Sequence, residues 1–197
     1  MSRKQDHILS LTTNLTELSK NESKSMFSKV LNEGMHGIGF SPYLEGQEPG
    51  EPISEDQIRR RMAIIKPHVK WIRSFSCTEG NEMIPKIAHE MGIKTLVGAW
   101  LGKEEDKNAI EIENLLKIAK EGYANIIAVG NEVMYREDLS EERLLEYIHQ
   151  VKNEIPNLPV GYVDAYYEFE NRPKITEACD VILANCYPFW EGCHIDY

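Results

Sequence analysis

Six short apolar runs, separated by stretches of helical periodicity, constrain this chain more than any other feature. They read "GIGFS" (37–41), "VKWIRSFS" (69–76), "KTLVGAWL" (94–101), "NIIAVGNEV" (125–133), "PVGYVDA" (159–165) and "DVILANCYPF" (180–189). Their length and β-branched content predict strands, some of them buried on both faces. Helices are predicted between most of them. Ser54 and Gln57 are spaced as a capping box ahead of Ile58, Met62 and Ile65. Residues 81–91 put Ile84, Ile87, Ala88 and Met91 on one face, and residues 105–121 do the same with Ile112, Leu115, Leu116 and Ala119. Gly92 and Gly122 follow as helix stops. Ser140 is placed to cap a helix holding Leu144, Leu145, Ile148 and Val151 that Pro156 ends, and a shorter helix is expected over 173–179.

Strands alternating with helices imply an α/β fold with a parallel sheet. Two architectures compete. A doubly wound sheet often carries a glycine-rich phosphate turn after its first strand, whereas here "GIGFSPYLEGQEPGEP" follows, with no GxGxxG. In a (β/α)8 TIM barrel the functional groups sit at the C-terminal ends of the strands. Tyr43, Arg73, Trp100, Asn131, Glu132, Asp164 and Tyr187 all fall there, which favours the barrel. Its strand count is short, at about six β/α units instead of eight, so the sequence reads as an incomplete barrel. The expected layout is a polar, weakly helical N-terminal extension over 1–34, with periodicity through Leu9, Leu15, Leu18, Phe27 and Leu31, and a partial barrel over 35–197.

Composition narrows the function classes. A formal charge of -10 and scattered basic residues argue against nucleic acid as a partner. The run Arg59–Arg61 reads as the solvated face of a helix. No stretch approaches the roughly 20 apolar residues of a membrane span, and the N-terminus lacks the apolar core of a signal peptide. The expected location is cytoplasmic, with secretion left open. Cys77, Cys179, Cys186 and Cys193 form no CxxC pair and read as reduced thiols. Cys186, Cys193 and His194 lack a fourth ligand at familiar spacing, so no metal and no cofactor is expected.

The chemistry concentrates at "AVGNEV", where an apolar run stops on Asn131 and Glu132. The plain alternative is a surface glutamate paired with Arg136. A carboxyl group beside low-dielectric walls instead has its neutral form favoured, as a general acid requires. Arg73 is the only charged residue on its strand after Lys70; buried arginines are paired, so it predicts a carboxylate within the site. Trp100, Tyr187, Phe189 and Trp190 supply flat surfaces with few cations nearby, with Phe189 assigned to core packing and the others suited to stacking on sugar rings. Asp164 and Glu191 read as hydrogen-bonding acids more than as catalysts.

"GIGFSPYLEGQEPG", "IRSFS", "LVGAWL", "IIAVGNEV" and "NCYPFWEG", in that order, resemble glycoside hydrolase family 17, nearest its bacterial β-1,3-glucanases and β-glucan transglycosylases. The resemblance runs from about Gly37 to the end of the chain. It implies a (β/α)8 fold, a retaining mechanism and a β-glucan poly- or oligosaccharide as partner, with Glu132 as acid/base. It further implies that Asn131 bonds the sugar 2-hydroxyl, that Arg73 and Tyr187 orient the nucleophilic carboxylate, and that Tyr43, Trp100, Tyr187 and Trp190 contact the glucan. The family's nucleophile is a glutamate ending a seventh strand, in a motif similar to E-[TV]-G-W-P. No such string occurs here, so the chain is expected to be a fragment that is inactive as written. A non-catalytic glucan-binding protein and a fragment of a transglucosylase are the alternatives; a metabolic barrel with an unrelated substrate is a third.

Overall fold

A computed structural model describes residues 18–187, 190 and 192. Helix α1 (Lys20–Glu33) leads into β1 (Met35–Gly39), followed by α2 (Glu55–Ile65), β2 (Val69–Arg73), α3 (Ile84–Glu90) and β3 (Lys94–Ala99). The chain continues through α4 (Glu105–Lys120), β4 (Ile126–Asn131), α5 (Glu141–Glu154), β5 (Val160–Ala165), α6 (Tyr166–Asn171), α7 (Pro173–Ala178) and β6 (Val181–Asn185). Short 3-10 turns at Lys66–His68 and Asn81–Met83 precede β2 and α3.

The six strands form one sheet in the order β1-β2-β3-β4-β5-β6, and every neighbouring pair is parallel. That order decides between the two architectures. Right-handed crossovers that always step the same way put each connecting helix on the same face of the sheet. A doubly wound sheet reverses direction and carries helices on both faces. The sheet is therefore that of a (β/α)8 barrel, with six consecutive strands and the helices that connect them among the described residues.

Two apolar clusters fill the space between sheet and helices. Ile58, Met62, Ile72, Ile84 and Ile87 build one under β1 and β2. Val97, Leu115, Ile127, Leu144, Ile148 and Tyr162 build the larger one under β3 to β5. All of β5, and all of β4 but its first residue, is buried, which explains why these two runs show no polar alternation. The flanking strands β1 and β6 are more open.

Several local expectations are corrected. The apolar runs overshoot the strands: Ser74–Ser76, Trp100, Leu101, Glu132, Val133, Cys186 and Tyr187 all leave the sheet. Leu101 and Val133 are nonetheless fully buried, so the runs report burial beneath the loops as well as pairing in the ladder. The capping box at Ser54 is half formed. Its hydroxyl accepts from Gln57 N at 3.2 Å, but the Gln57 amide turns inward, donating to Pro42 O at 3.0 Å and Gln47 Oε1 at 2.6 Å. Gln57 thus pins the loop after β1. A complete reciprocal box forms instead at Ser19 and Glu22, ahead of α1.

Candidate active site

The site is built by a defect in β4. Its register against β5 shifts between Ala128 and Asn131, a bulge of the kind that re-aims side chains. Gly130 has φ 89, and a Cβ there would lie 2.8 Å from Val133 Cγ2, so glycine is required. Glu132 follows with φ 52, a left-handed conformation that disfavours a side chain. Its N–H is held by Val163 O at 2.7 Å. Strand and turn together lift the carboxylate out of the ladder.

That carboxylate is met from β6. Oε1 of Glu132 accepts from Asn185 Nδ2 at 2.8 Å and from the Tyr187 hydroxyl at 2.8 Å. One oxygen takes both donors. Burial, reinforced by the hydrogen bond and charge of Glu132, pushes the Tyr187 phenol up to about 12. Arg73 Nη2 donates to Asn131 Oδ1, so among the described residues its partner is an amide and not the expected carboxylate. Burial lowers the Arg73 pKa, against the raising effect of Tyr187 and Glu132, and its guanidinium lies 4.5 Å over the Phe75 ring.

Arg136 does not pair with the Glu132 carboxylate. Its side chain reaches Asp138 Oδ2 at 2.7 Å, Asn131 O at 2.6 Å and Leu101 O at 3.1 Å. The guanidinium stacks 4.5 Å over Trp100. The expectation of few cations near the strand-mouth aromatics is corrected at Trp100, and Phe75, an aromatic not singled out in the sequence, carries a cation in the same way. Each arginine joins an aromatic plane to Asn131.

Those planes face a cleft of about 850 Å³ at the ends of β1 to β3, lined by Phe40, Tyr43, Phe75, Ser76, Asn81 and Trp100 among others. The Tyr43 hydroxyl accepts from Asn81 Nδ2 at 3.2 Å, and Trp100 is 42% exposed. Beneath the cleft lies Glu111 of α4, 3% exposed. It accepts from Ser76 Oγ at 2.5 Å, Cys77 N at 2.7 Å, Thr78 Oγ1 at 2.6 Å and Trp100 N at 3.0 Å. Asn108, one turn earlier, bonds both the N–H and the C=O of Gly102 at 2.8 Å. The expected site residues therefore fall into two groups, Arg73, Asn131, Glu132 and Tyr187 around the acid, Tyr43 and Trp100 on the cleft. Trp190 is 81% exposed; Phe189, Glu191, Cys193 and His194 lie outside the described residues.

Asp164 is no free catalyst. It is fully buried and accepts from Tyr162 OH, Met134 N at 3.2 Å, Tyr135 N at 3.3 Å and Ala165 N at 2.8 Å. Asn185 and Glu111 went unassigned in the sequence, and Arg136 was considered only as a surface partner for Glu132. Glu111 and Asn108 left one signal, polar side chains on the apolar face of their helix. Among the described residues no group of three or more His, Cys, Asp or Glu is placed to hold a metal.

A barrel sheet whose fourth strand ends on a hydrogen-bonded carboxylate beside an aromatic cleft places its polar groups where barrel enzymes keep their active sites. The model of the BtgE/BtgC glycoside hydrolase domain matches residues 37–196, and the chain belongs to that family. It is 26% identical over 203 residues to a probable glucan endo-1,3-beta-glucosidase btgC of Aspergillus fumigatus, covering 91% of this chain and 29% of that protein. It is 26% identical over 147 residues to the glucan 1,3-beta-glucosidase BGL2 of Candida albicans, covering 64% of this chain and 47% of the relative. The glycoside hydrolase family 17 β-1,3-glucanosyltransferase of Rhizomucor miehei superposes with a TM-score of 0.70 at 25% identity, over 84% of this chain and 62% of that one. An active-site mutant of the Rhizomucor enzyme in complex with laminaritriose matches equally well. The chain thus spans between about a third and a half of the curated relatives it matches.

Proposed function

We propose that the protein acts on β-1,3-glucan by a retaining mechanism with Glu132 as the acid/base. The observation that carries this reading is the strand-end Glu132, with Asn185 and Tyr187 both on Oε1 and Asn131 immediately before it. With Oε1 so occupied, Oε2 is the oxygen that delivers a proton to the glycosidic oxygen. The same oxygen takes a proton back in the second step, from water in hydrolysis or from a sugar hydroxyl in transfer. Arg73 holds Asn131 by Oδ1, which turns the amide hydrogens toward a ring hydroxyl. Trp100 has one face covered by Arg136 and offers the other to a sugar in the cleft, as do Tyr43 and Phe75. The glucan is suggested by the relatives named above.

Retention needs a second carboxyl group about 5–5.5 Å from the first. Asp164 does not serve, because its lone pairs are taken. We assign the nucleophile to a carboxylate outside the described residues. The reading is tested in two arms. Laminaritriose added to the 197-residue chain should shift the Trp100 indole and Asn185 side-chain resonances, while a phosphorylated sugar should not. In a form of the protein that turns over laminarin, Glu132→Gln should cut that turnover by about 10²–10⁴-fold. It should spare the first step on aryl glycosides whose leaving groups need no proton. Equal, modest losses on both substrates would sink the assignment.

A further inference from the structure

The turn that presents Glu132 is fastened from the neighbouring strand. Residues 132–138 close on themselves through Arg136 N to Glu132 O at 2.9 Å, Glu137 N to Met134 O at 3.1 Å and Asp138 N to Val133 O at 3.0 Å. Like the first turn of a helix, this leaves its leading N–H groups without partners inside the turn. Asp164 supplies them. Its Oδ2 accepts from Met134 N and Tyr135 N, and the Tyr162 hydroxyl, itself donating to Oδ2, accepts a second bond from Met134 N at 2.9 Å. Oδ1 is fixed by Ala165 N at 2.8 Å. A carboxylate from β5 thus caps a turn on β4.

A buried carboxylate with four donors is by itself a common way to stabilise a loop, and Glu111 does that for the loops after β2 and β3. Asp164 differs in its address. The two N–H groups it holds lie two and three residues beyond Glu132, whose backbone sits in a region a side chain disfavours. Released from Asp164, the turn is free to relax, and the carboxyl group of Glu132 loses its alignment with Asn185 and Tyr187.

We propose that Asp164, clamped by Tyr162, is a positioning residue that keeps Glu132 in its left-handed turn and so aims its carboxyl group at Asn185 and Tyr187. Its functional meaning rests on Glu132 being the acid; the geometric claim does not, and the two are measured separately.

The test uses the isotope-labelled 197-residue chain with Asp164→Asn, Tyr162→Phe and, for comparison, Glu111→Gln. In the first two, amide exchange at Met134 and Tyr135 should speed up at least about tenfold. The Asn185 side-chain amide should move, and in Tyr162→Phe, which keeps the Asp164 charge, the Tyr187 phenol should titrate below its wild-type value as its bond to Glu132 weakens. Glu111→Gln should lower the Tm and leave all three signals in place. Tyr162→Phe keeps the carboxylate and the ring, so it decides the matter alone if Asp164→Asn does not fold. Unchanged exchange overturns the proposal, and so does fast exchange with Asn185 and Tyr187 undisturbed, since Asp164 would then only stabilise the fold. Normal turnover by Glu132→Gln would overturn the acid assignment without bearing on the exchange and side-chain signals of the Asp164 and Tyr162 variants.

Discussion

Arg136 lies four residues past the acid and satisfies carbonyls on two strand ends, Asn131 O and Leu101 O, while covering one face of Trp100. Nothing in the string "NEVMYRED" announces this, because both carbonyls and the ring belong to backbone and loops that only the fold assembles. Arg136→Ala should cost about 2–3 kcal/mol, from the loss of hydrogen bonds made by a charged donor and of the stacking. Arg136→Lys should recover only part, since an ammonium cannot span two carbonyls and lie flat on an indole. Thermal denaturation reads both. Glu132 and Asn131 were legible for the opposite reason: a polar pair closing an apolar run stands out locally. Asn185 sat in a recognisable motif, yet its role depends on Glu132, 53 residues away. Glu111 left a fainter sign, one polar residue on the apolar face of an otherwise ordinary helical pattern.

The elements were easier to read than their ends. Periodicity located each strand and most helices, since both follow from which side chains must be covered. The stop of each strand depends on its neighbour's ladder, which a single run does not encode, and α6 (Tyr166–Asn171) follows β5 directly with no polar break to mark it. Two outcomes belong at this scale. Gly161 of β5 passes so close to β6 that a Cβ would lie 2.3 Å from Val181 O. Gly161→Ala should therefore force the strands apart and cost about 1–3 kcal/mol in chemical denaturation. Helices α4 and α5 are joined by Glu105, which accepts from Arg143 Nη2 at 2.9 Å and Tyr147 OH at 2.6 Å. These bonds hold the Glu105 carboxyl at about 2, below its ordinary 4.5. A depressed carboxylate stabilises the fold above its unfolded pKa and loses that contribution as the pH falls through the folded one. The Tm gap between wild type and Glu105→Gln should be full at neutral pH, shrink below about 4.5 and close near 2, and added salt should narrow it because the network is exposed.

At the scale of the whole molecule, the sheet has two end strands among the described residues. Among the described residues β1 pairs only with β2, and β6 only with β5. On β6, Ile182 is 40% exposed, and an open parallel edge with an apolar side chain is a template for another chain. The 197-residue chain should self-associate in sedimentation velocity experiments, and Ile182→Lys should shift it toward monomer. Charge repulsion from the net -10 should make the wild type more monomeric at low salt. The strict strand order also dictates how the molecule can be made. Each strand after β1, as it leaves the ribosome, finds one neighbour already synthesised, so the sheet can grow by accretion from the N-terminus. The acid turn is the exception. Glu132 is translated early, but its cap at Asp164 and its donors at Asn185 and Tyr187 arrive 32, 53 and 55 residues later. A nascent chain halted after β4 would have its sheet begun and its acid still unaimed.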